Sequence, residues 1–243
     1  MNSADSIGHA VVIGASGGIG RAFVEALAAR ADVKSVTALS RTPARFDHPD
    51  VTTGAIDLLD EDSIAAAAAA CAAHPPRWMI CAAGILHDDG LQPEKSLREL
   101  DAVHLARVLA VNAIGPALVI KHFAPLLPRT GRSVIAALSA RVGSIGDNRL
   151  GGWYSYRASK AALNQLIRTA SIELARSRRE AIVVGLHPGT VDTGLSAPFR
   201  GNVAPGKLFT PEFAAGRLLD VLDGLSATAS GRCYAWDGSE VPA

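Results

Sequence analysis

Two kinds of hydrophobic pattern alternate along the chain. Short apolar runs, typical of buried strands, end in small or polar residues, and longer segments repeat apolar residues every three or four positions, as helices do. The predicted strands are residues 9–13, 33–39, 51–56, 77–82, 133–138, 181–186 and 232–236. One helix is predicted directly after the first strand, and others over residues 63–73 and 211–225. A pair of helices is predicted around Asn112, and a further helix contains Tyr156. The alternation predicts an α/β fold, a doubly wound parallel sheet of about seven strands with helices on both faces.

A glycine-rich turn follows the first predicted strand. Gly14, Gly18 and Gly20 have the spacing G-x-x-x-G-x-G, and a helical pattern comes next. A backbone without side chains lets a diphosphate approach the amides and the positive end of the helix. The spacing differs from the G-x-G-x-x-G fingerprint of dinucleotide sites. Taken alone, the turn indicates either a nucleotide site or an ordinary strand-to-helix connection.

The second predicted strand ends in Ser40-Arg41 rather than in an acidic residue. In dinucleotide-binding folds an acid near this position binds the ribose 2′-hydroxyl, whereas an arginine suits a 2′-phosphate. Arg41 therefore favours NADP(H) over NAD(H) as the cofactor. The alternative is a solvated loop arginine without a ligand.

Tyr156 and Lys160 are one helical turn apart, so their side chains share a face. A phenol has a pKa of about 10, and a nearby ammonium is expected to lower it by favouring the phenolate. Such a tyrosine is an acid–base group suited to carbonyl reduction or alcohol oxidation. The same pair also occurs on ordinary helices, and Tyr154 is expected on another face.

Composition limits the class of protein. The 243 residues are 49% hydrophobic and 19% charged, which suits a compact soluble enzyme, and the net charge of +1 gives no field for nucleic acid or anionic membrane. No apolar run is expected to reach the ~20 residues of a membrane span, and residues 1–8 lack a signal pattern. Cys71, Cys81 and Cys233 are far apart, without metal or disulfide spacing, so a reducing cytoplasm is expected.

Candidate residues gather at the carboxyl ends of the predicted strands, where doubly wound sheets bind ligands. They are Gly14, Arg41, Asp57, Gly84, Ser139 and Gly189. Together these pieces resemble the short-chain dehydrogenase/reductase family over residues 11–236. The resemblance rests on the glycine turn, Asp57, Ala83-Gly84, Asn112, Tyr156-x-x-x-Lys160, and Pro188-Gly189 with Thr193. Residues 143–157 and 234–238 are similar to the C-factor-like or Sniffer-like carbonyl reductase subgroup.

The resemblance implies one NAD(P)-binding Rossmann-type domain over residues 1–243 and a set of cofactor contacts. The diphosphate would lie on Gly14, Ser16, Gly18, Ile19 and Gly20, and the 2′-phosphate on Ser40 and Arg41. Asp57 and Leu58 would flank the adenine, and Ala83 and Gly84 the adjacent ribose. Pro188, Gly189, Val191 and Thr193 would hold the nicotinamide.

The resemblance also implies catalytic roles. Tyr156 would donate the proton in reduction, Lys160 would bind the nicotinamide ribose and lower the tyrosine pKa, and Asn112 would bend its helix and hold a water in a proton relay. The family's catalytic serine falls at Ala140 in this chain. Ser139 is the favoured replacement, although regular strand geometry turns it to the opposite face unless a bulge intervenes, and Ser144 is the second candidate.

Two functions are weighed. The first is an NADPH-dependent reductase of an apolar or aromatic aldehyde or ketone, whose substrate would contact Leu86, Ser144, Trp153, Tyr154, Leu195 and Phe199. The second is a cofactor-binding signalling or regulatory protein with little turnover, suggested by Ala140 and the C-factor resemblance. His187 is expected to be packed or bonded to backbone rather than catalytic. A homodimer or homotetramer is expected from the resemblance.

Overall fold

The computed structural model describes residues 6–202 and 204–243. Its strands and helices follow one another in alternation along the chain. The strands are β1 (Gly8–Ile13), β2 (Val33–Ser40), β3 (Val51–Ala55), β4 (Trp78–Cys81), β5 (Ser133–Leu138), β6 (Ala181–His187), β7 (Thr190–Val191), β8 (Leu208–Phe209) and β9 (Cys233–Ala235). The helices are α1 (Gly18–Ala28), α2 (Glu61–Cys71), α3 (Ala102–Leu109), α4 (Gly115–Phe123), α5 (Tyr154–Leu174) and α6 (Pro211–Gly224), with a π-helical turn at Ala110–Ile114.

Seven strands form one parallel sheet in the order β3-β2-β1-β4-β5-β6-β9. The chain runs from β1 outward to β3, returns to β4 beside β1, and then continues to the other edge. The strand order therefore reverses between β1 and β4, which is where such sheets bind ligands. The predicted doubly wound parallel sheet of about seven strands is confirmed. The two-residue strands β7 and β8 pair with each other outside it and were not predicted.

Helices cover both faces of the sheet. Val11 and Val12 are neighbours on β1, and their side chains point to opposite faces. Val12 packs in the cluster that contains residues of α1 and α6. Val11 packs in the cluster that contains residues of α2, α4 and α5. The sheet is therefore buried on both sides, which explains why its strands read as continuous apolar runs.

The helix α2 begins two residues before the predicted start. The Asp60 carboxylate accepts hydrogen bonds from the backbone amides of Asp62, at 3.0 Å, and Ser63, at 3.3 Å. This is N-capping, which satisfies amides that the helix leaves unpaired. The Asp60 side chain is thus the N-cap of α2.

The expectation that no apolar run reaches the length of a membrane span is wrong. Residues 102–126 form 25 residues of continuous helix, with mean hydropathy 1.7 and 39% of the most apolar stretch buried. Length and composition alone are weak evidence for a span, because core helices of soluble proteins meet the same criteria. Val119 and Phe123 are fully buried in the cluster shared with α2 and α5, so the α4 part of this helix packs in the core.

Candidate active site

The glycine turn brings β1, α1 and the end of β4 into close contact. A Cβ atom on Gly14, whose φ is +86°, would lie 2.7 Å from the Ala83 amide nitrogen, and one on Gly20 would lie 2.1 Å from the Gly14 carbonyl oxygen. Side chains are therefore excluded at both positions. Gly17 precedes α1 and gives no side-chain cap. Residues 16–18 are exposed, so the first amides of the helix are available to an anion.

A groove of about 430 Å3 runs along the carboxyl edge of the sheet. It brings together predicted residues that are distant in sequence. Its walls include Gly14, Ser16, Ser40, Arg41, Asp57, Leu58, Ala83, Gly84, Leu86 and Leu195. The predicted convergence of strand ends is thus present in the fold, and the groove has the size of a ligand site.

One end of the groove carries an unpaired positive charge. Arg41 is exposed, and within the described parts of the chain it makes neither a hydrogen bond nor an ion pair. Its neighbours are already engaged: Ser40 Oγ donates to the Thr42 carbonyl at 2.8 Å, and Asp57 Oδ1 accepts from the Leu59 amide at 3.0 Å. The guanidinium therefore has its donors available, and a guanidinium is a group that suits a phosphate.

The segment after β6 crosses above the glycine turn. A Cβ atom on Gly18 would lie 2.8 Å from Thr193 Cγ2, so the two segments are nearly in contact. Gly189 has φ +77° and lies against the ring of Phe209. His87, in the loop after β4, donates from Nε2 to the Gly194 carbonyl at 3.1 Å. The chain just after the predicted nicotinamide residues 188–193 lines the groove, at Gly194 and Leu195, opposite the loop after β4, whereas residues 188–193 are not among its walls.

Tyr156 and Lys160 lie on the inward face of α5. Lys160 is buried, and its Nζ is 5.6 Å from the centre of the Tyr156 ring. Burial lowers the pKa of Lys160 to about 8 and raises the pKa of Tyr156 to about 12. The second direction is opposite to the expected lowering of the tyrosine pKa, because burial removes water from around the phenol and so disfavours the phenolate. Tyr156 is therefore protonated at neutral pH.

Asn112 sits in the π-helical turn between α3 and α4, where the regular α-helix is interrupted. Its Oδ1 accepts from the Ile85 amide and its Nδ2 donates to the Ile85 carbonyl, both at 2.8 Å. Nδ2 also donates to Ser159 Oγ at 3.1 Å. A Cβ atom on Gly84 would lie 3.3 Å from Asn112 Oδ1 and 3.5 Å from Lys160 Nζ. Gly84, Asn112 and Lys160 therefore lie close together.

The two candidate serines are both buried and already bonded. Ser139 Oγ donates to Asn164 Oδ1 at 2.6 Å. Ser144 Oγ donates to the Ala243 carbonyl at 3.4 Å and accepts from the Asp147 amide at 3.0 Å. Among the residues that the structure describes, neither hydroxyl bonds to Tyr156. Ala140, at the family's serine position, has no hydroxyl to offer.

An aromatic group lies beside Tyr156. The Trp153 ring is 6.2 Å from the Tyr156 ring and 5.1 Å from that of Phe199. Trp153 has φ +52° and is the only non-glycine residue with positive φ in residues 6–202 and 204–243. This left-handed conformation costs roughly 1–2 kcal/mol. Tyr154 is 38% exposed, whereas Tyr156 is half-buried, so the two tyrosines differ in environment as expected.

His187, at the end of β6, is largely buried. Burial and the nearby Arg141 lower its pKa to about 4, so the ring is neutral at physiological pH. The expected packed state is found, but its Nδ1 has no hydrogen-bond partner within the described chain.

One residue of this region escaped the sequence analysis. Glu94, between β4 and α3, is 3% exposed and contacts the start of α5. The surrounding Gln92-Pro93-Glu94-Lys95 reads as an ordinary polar loop. No periodicity or motif distinguishes its carboxylate from the exposed Glu99 nearby.

Comparisons with known proteins agree with this geometry. Residues 8–203 match the family model described as short chain dehydrogenase. The C-signal protein of Myxococcus xanthus is 38% identical over 148 residues, covering 60% of this chain and 83% of that protein. An NADPH-bound carbonyl reductase from chicken fatty liver superposes with a TM-score of 0.84 at 28% identity, covering 98% of this chain and 99% of that one.

A second solved structure supports the fold. The carbonyl reductase Sniffer of D. melanogaster superposes with a TM-score of 0.82 at 23% identity, covering 98% of this chain and 99% of that one. The match of the family model spans most of the chain and includes the glycine turn, Asn112, Tyr156 and Lys160. The chain belongs to the short-chain dehydrogenase family of oxidoreductases, with the C-signal protein among its relatives.

Proposed function

We propose that the protein is an NADPH-dependent carbonyl reductase that converts an aldehyde or ketone to the alcohol, with Tyr156 as the general acid. The observation that carries the proposal is the pairing of Tyr156 with buried Lys160 on α5, beside a groove that begins at the glycine turn. The same residues would serve the reverse oxidation, with Tyr156 accepting the proton.

The groove fits NADP(H) on its own chemistry. The exposed amides at the start of α1 suit a diphosphate, and the unpaired Arg41 suits a 2′-phosphate. The predicted contacts of Ser16, Ile19, Ser40, Asp57, Leu58, Ala83, Gly84, Pro188, Val191 and Thr193 remain part of this proposal. NADPH, which the chicken carbonyl reductase binds by its description, would supply the hydride.

Tyr156 would donate its proton to the carbonyl oxygen as the alcohol forms. Its raised pKa keeps it protonated at neutral pH, which is the state that reduction requires. The ammonium of Lys160 would stabilise the phenolate left behind, and its bond to the Leu138 carbonyl, at 2.8 Å, fixes its position. Asn112 would order the loop after β4 against α5 and hold the water of the relay to Lys160.

A second hydroxyl would polarise the substrate carbonyl. Ser139 is our proposal for this group, and Ser144 is the alternative. Ser139 would have to leave Asn164 to act, because its only proton is donated there. Losing one such donor typically reduces transition-state stabilisation by about 3 kcal/mol. The rate of the reaction therefore depends on whether one of these serines supplies the hydroxyl.

The substrate would be an apolar or aromatic carbonyl compound. Trp153 and Phe199 form an aromatic wall next to Tyr156. Leu86 and Leu195 line the groove from the other side. Flat apolar groups pack well against such rings, whereas a charged substrate would lose its hydration without a partner.

The test is a fluorescence titration with NADPH and NADH, followed by a panel of aldehydes and ketones added to the NADPH complex. We expect tighter binding of NADPH and its consumption with at least one aromatic carbonyl. Failure to bind either nucleotide would contradict the proposal.

A cofactor-binding regulatory protein with little turnover is the second candidate. Two observations favour it: Ala140 removes the family's serine, and the C-signal protein is among the relatives. Tight NADPH binding without consumption across the panel would support this function instead. Rapid turnover of any panel carbonyl would remove the reason for it.

The proposal includes a cytoplasmic location and a homodimer or homotetramer. The three cysteines are buried thiols, which is compatible with a reducing compartment. On α5, Ile172 is 49% exposed and Leu166 is 37% exposed, so this helix offers apolar surface to a second copy. Light scattering during gel filtration would measure the mass, and a monomer at micromolar concentration would contradict the assembly.

A further inference from the structure

Glu94 is a buried acid that the proposed chemistry does not use. Its side chain is 97% removed from solvent, and the part of the chain that the structure describes offers it no cationic partner. Its carboxylate accepts hydrogen bonds from the Ser155 amide, at 3.1 Å, and from Ser155 Oγ. Its main-chain carbonyl accepts from the Trp153 amide at 2.5 Å. All three bonds go to residues just before Tyr156.

These bonds replace the side-chain N-cap that the start of α5 lacks. Gly151, Gly152 and Trp153 have φ values of +64°, +64° and +52°, so the chain makes a left-handed turn before entering a right-handed helix. Trp153 is the N-cap residue and provides no side-chain cap. A carboxylate near a helix N-terminus is favoured by the helix dipole and forms charge-assisted bonds to amides. Glu94 therefore caps α5 from a different segment of the chain.

The same turn is also held from the other side. Arg157 Nε donates to the Gly152 carbonyl at 3.0 Å, and the Arg157 amide bonds to the Trp153 carbonyl at 2.8 Å. Tyr156 lies between Ser155, which Glu94 binds, and Arg157. Glu94 and Tyr156 also border one gap that has no room for a water molecule. Glu94 is therefore bonded to the residue before Tyr156 and lies along the same gap as Tyr156.

We propose that Glu94 is a positioning residue that fixes the start of α5, and with it the Tyr156 phenol and the Trp153 ring, in the geometry needed for proton transfer. The inference rests on the proposed function of Tyr156 as the general acid. Small displacements of a reacting group can reduce turnover about 100-fold. Glu94 touches neither substrate nor cofactor in this scheme, so cofactor binding should be nearly independent of it.

The experiment compares Glu94→Ala, Glu94→Gln and Ser155→Ala with the wild-type chain. Glu99→Gln is the matched control, because Glu99 lies in the same segment but bonds only to Lys95 and Ser96. Steady-state rates would give kcat and the KM for NADPH, with an aromatic carbonyl from the panel as substrate. Hydrogen exchange of peptides covering residues 150–160 gives a second readout that does not depend on activity.

For Glu94→Ala we expect kcat to fall about 10- to 100-fold, with the KM for NADPH within about twofold of wild type. Exchange at residues 153–156 should become at least about tenfold faster, because the Ser155 amide loses its acceptor. Glu94→Gln keeps an acceptor and should restore kcat to within about threefold of wild type. Glu99→Gln should behave as wild type in both measurements.

A lower melting temperature for Glu94→Ala, with kcat and exchange at residues 153–156 unchanged, would overturn the inference. If Glu94→Ala does not fold, Ser155→Ala decides, because it removes one of the three bonds; unchanged kcat and exchange there would also overturn it. If the wild-type chain reduces no carbonyl, the proposed function fails separately, and the exchange data alone test whether Glu94 orders the start of α5.

Discussion

Lys160 Nζ lies 5.6 Å from the centre of the Tyr156 ring, while its hydrogen bond goes to the Leu138 carbonyl at the end of β5. The ammonium therefore acts on the phenol through space and is held by the sheet. Both groups are taken out of water, which moves their pKa values apart: the lysine falls to about 8 and the tyrosine rises to about 12. The first prediction concerns the energetic effect of that burial.

Replacing Lys160 with Met should stabilise the protein at pH 7. The folded pKa of about 8 lies below the ordinary value of 10.5, so between these values the unfolded chain binds more protons. Wild-type stability should therefore rise with pH from about 8 to 10.5, by about 3 kcal/mol. Urea unfolding of both variants from pH 7 to 10.5 would measure the difference, which should shrink with rising pH. A constant difference would contradict the lowered pKa.

Replacing Tyr156 with Phe should remove the proton donor while leaving the shape of the site. Turnover of every accepted carbonyl should fall about 100- to 10,000-fold, with NADPH affinity within a few-fold of wild type. Tyr154→Phe is the comparison, because Tyr154 is exposed two residues away and, as a predicted substrate contact without a role in proton transfer, should lower turnover far less than Tyr156→Phe. Undiminished turnover in Tyr156→Phe would remove Tyr156 from the mechanism.

Replacing Arg41 with Ala should change the choice between cofactors. Loss of a charge-assisted bond to a 2′-phosphate should weaken NADPH binding about 10- to 100-fold, whereas NADH affinity should stay nearly constant. Arg45→Ala serves as the control, since Arg45 is in the same loop but does not line the groove. If the binding of both nucleotides weakens equally, Arg41 does not distinguish the 2′-phosphate from the 2′-hydroxyl.

Replacing Ser139 with Ala tests the proposed polarising hydroxyl. If Ser139 acts after leaving Asn164, kcat should fall about 100-fold, and adding Ala140→Ser on that background should restore part of it. Ser144→Ala is the parallel test of the second candidate. Unchanged kcat in Ser139→Ala would show that the bond to Asn164 is a structural one, and a gain from Ala140→Ser alone would then mark position 140 as the missing donor.

Sequence patterns were sufficient for the sheet and for the residues around the groove. Strand ends converge in any doubly wound sheet, so Gly14, Arg41 and Asp57 could be grouped before the fold was known. The left-handed conformation of Trp153 could not be foreseen, because it follows from contacts with a loop that is 59 residues earlier in the chain. Glu94 was missed for the same reason: its partner lies on another element, and its local sequence is that of a surface loop.

The direction of the Tyr156 pKa was wrong for a related reason. The spacing of Tyr156 and Lys160 reveals that they share a helix face, but not how much water reaches them. Burial depends on the packing of α5 against β5 and the loop after β4, which no local pattern encodes. The long apolar helix 102–126 likewise depends on the π-helical turn at Asn112 joining two predicted helices into one.

The length of the loop after β4 is constrained, because the loop is held by contacts at its start, its middle and its end. Gly84 meets Asn112 and Lys160 at its start, His87 reaches Gly194 across the groove in its middle, and Glu94 caps α5 at its end. Exposed loops usually accept insertions, and enzyme families diversify through them. One extra residue between 84 and 94 would change the spacing between contacts on either side of it, so at least one of the three could not keep its present position. Divergence of this chain toward new substrates, natural or engineered, is therefore better sought in residues 145–150, where Ile145 and Leu150 are 78% and 92% exposed.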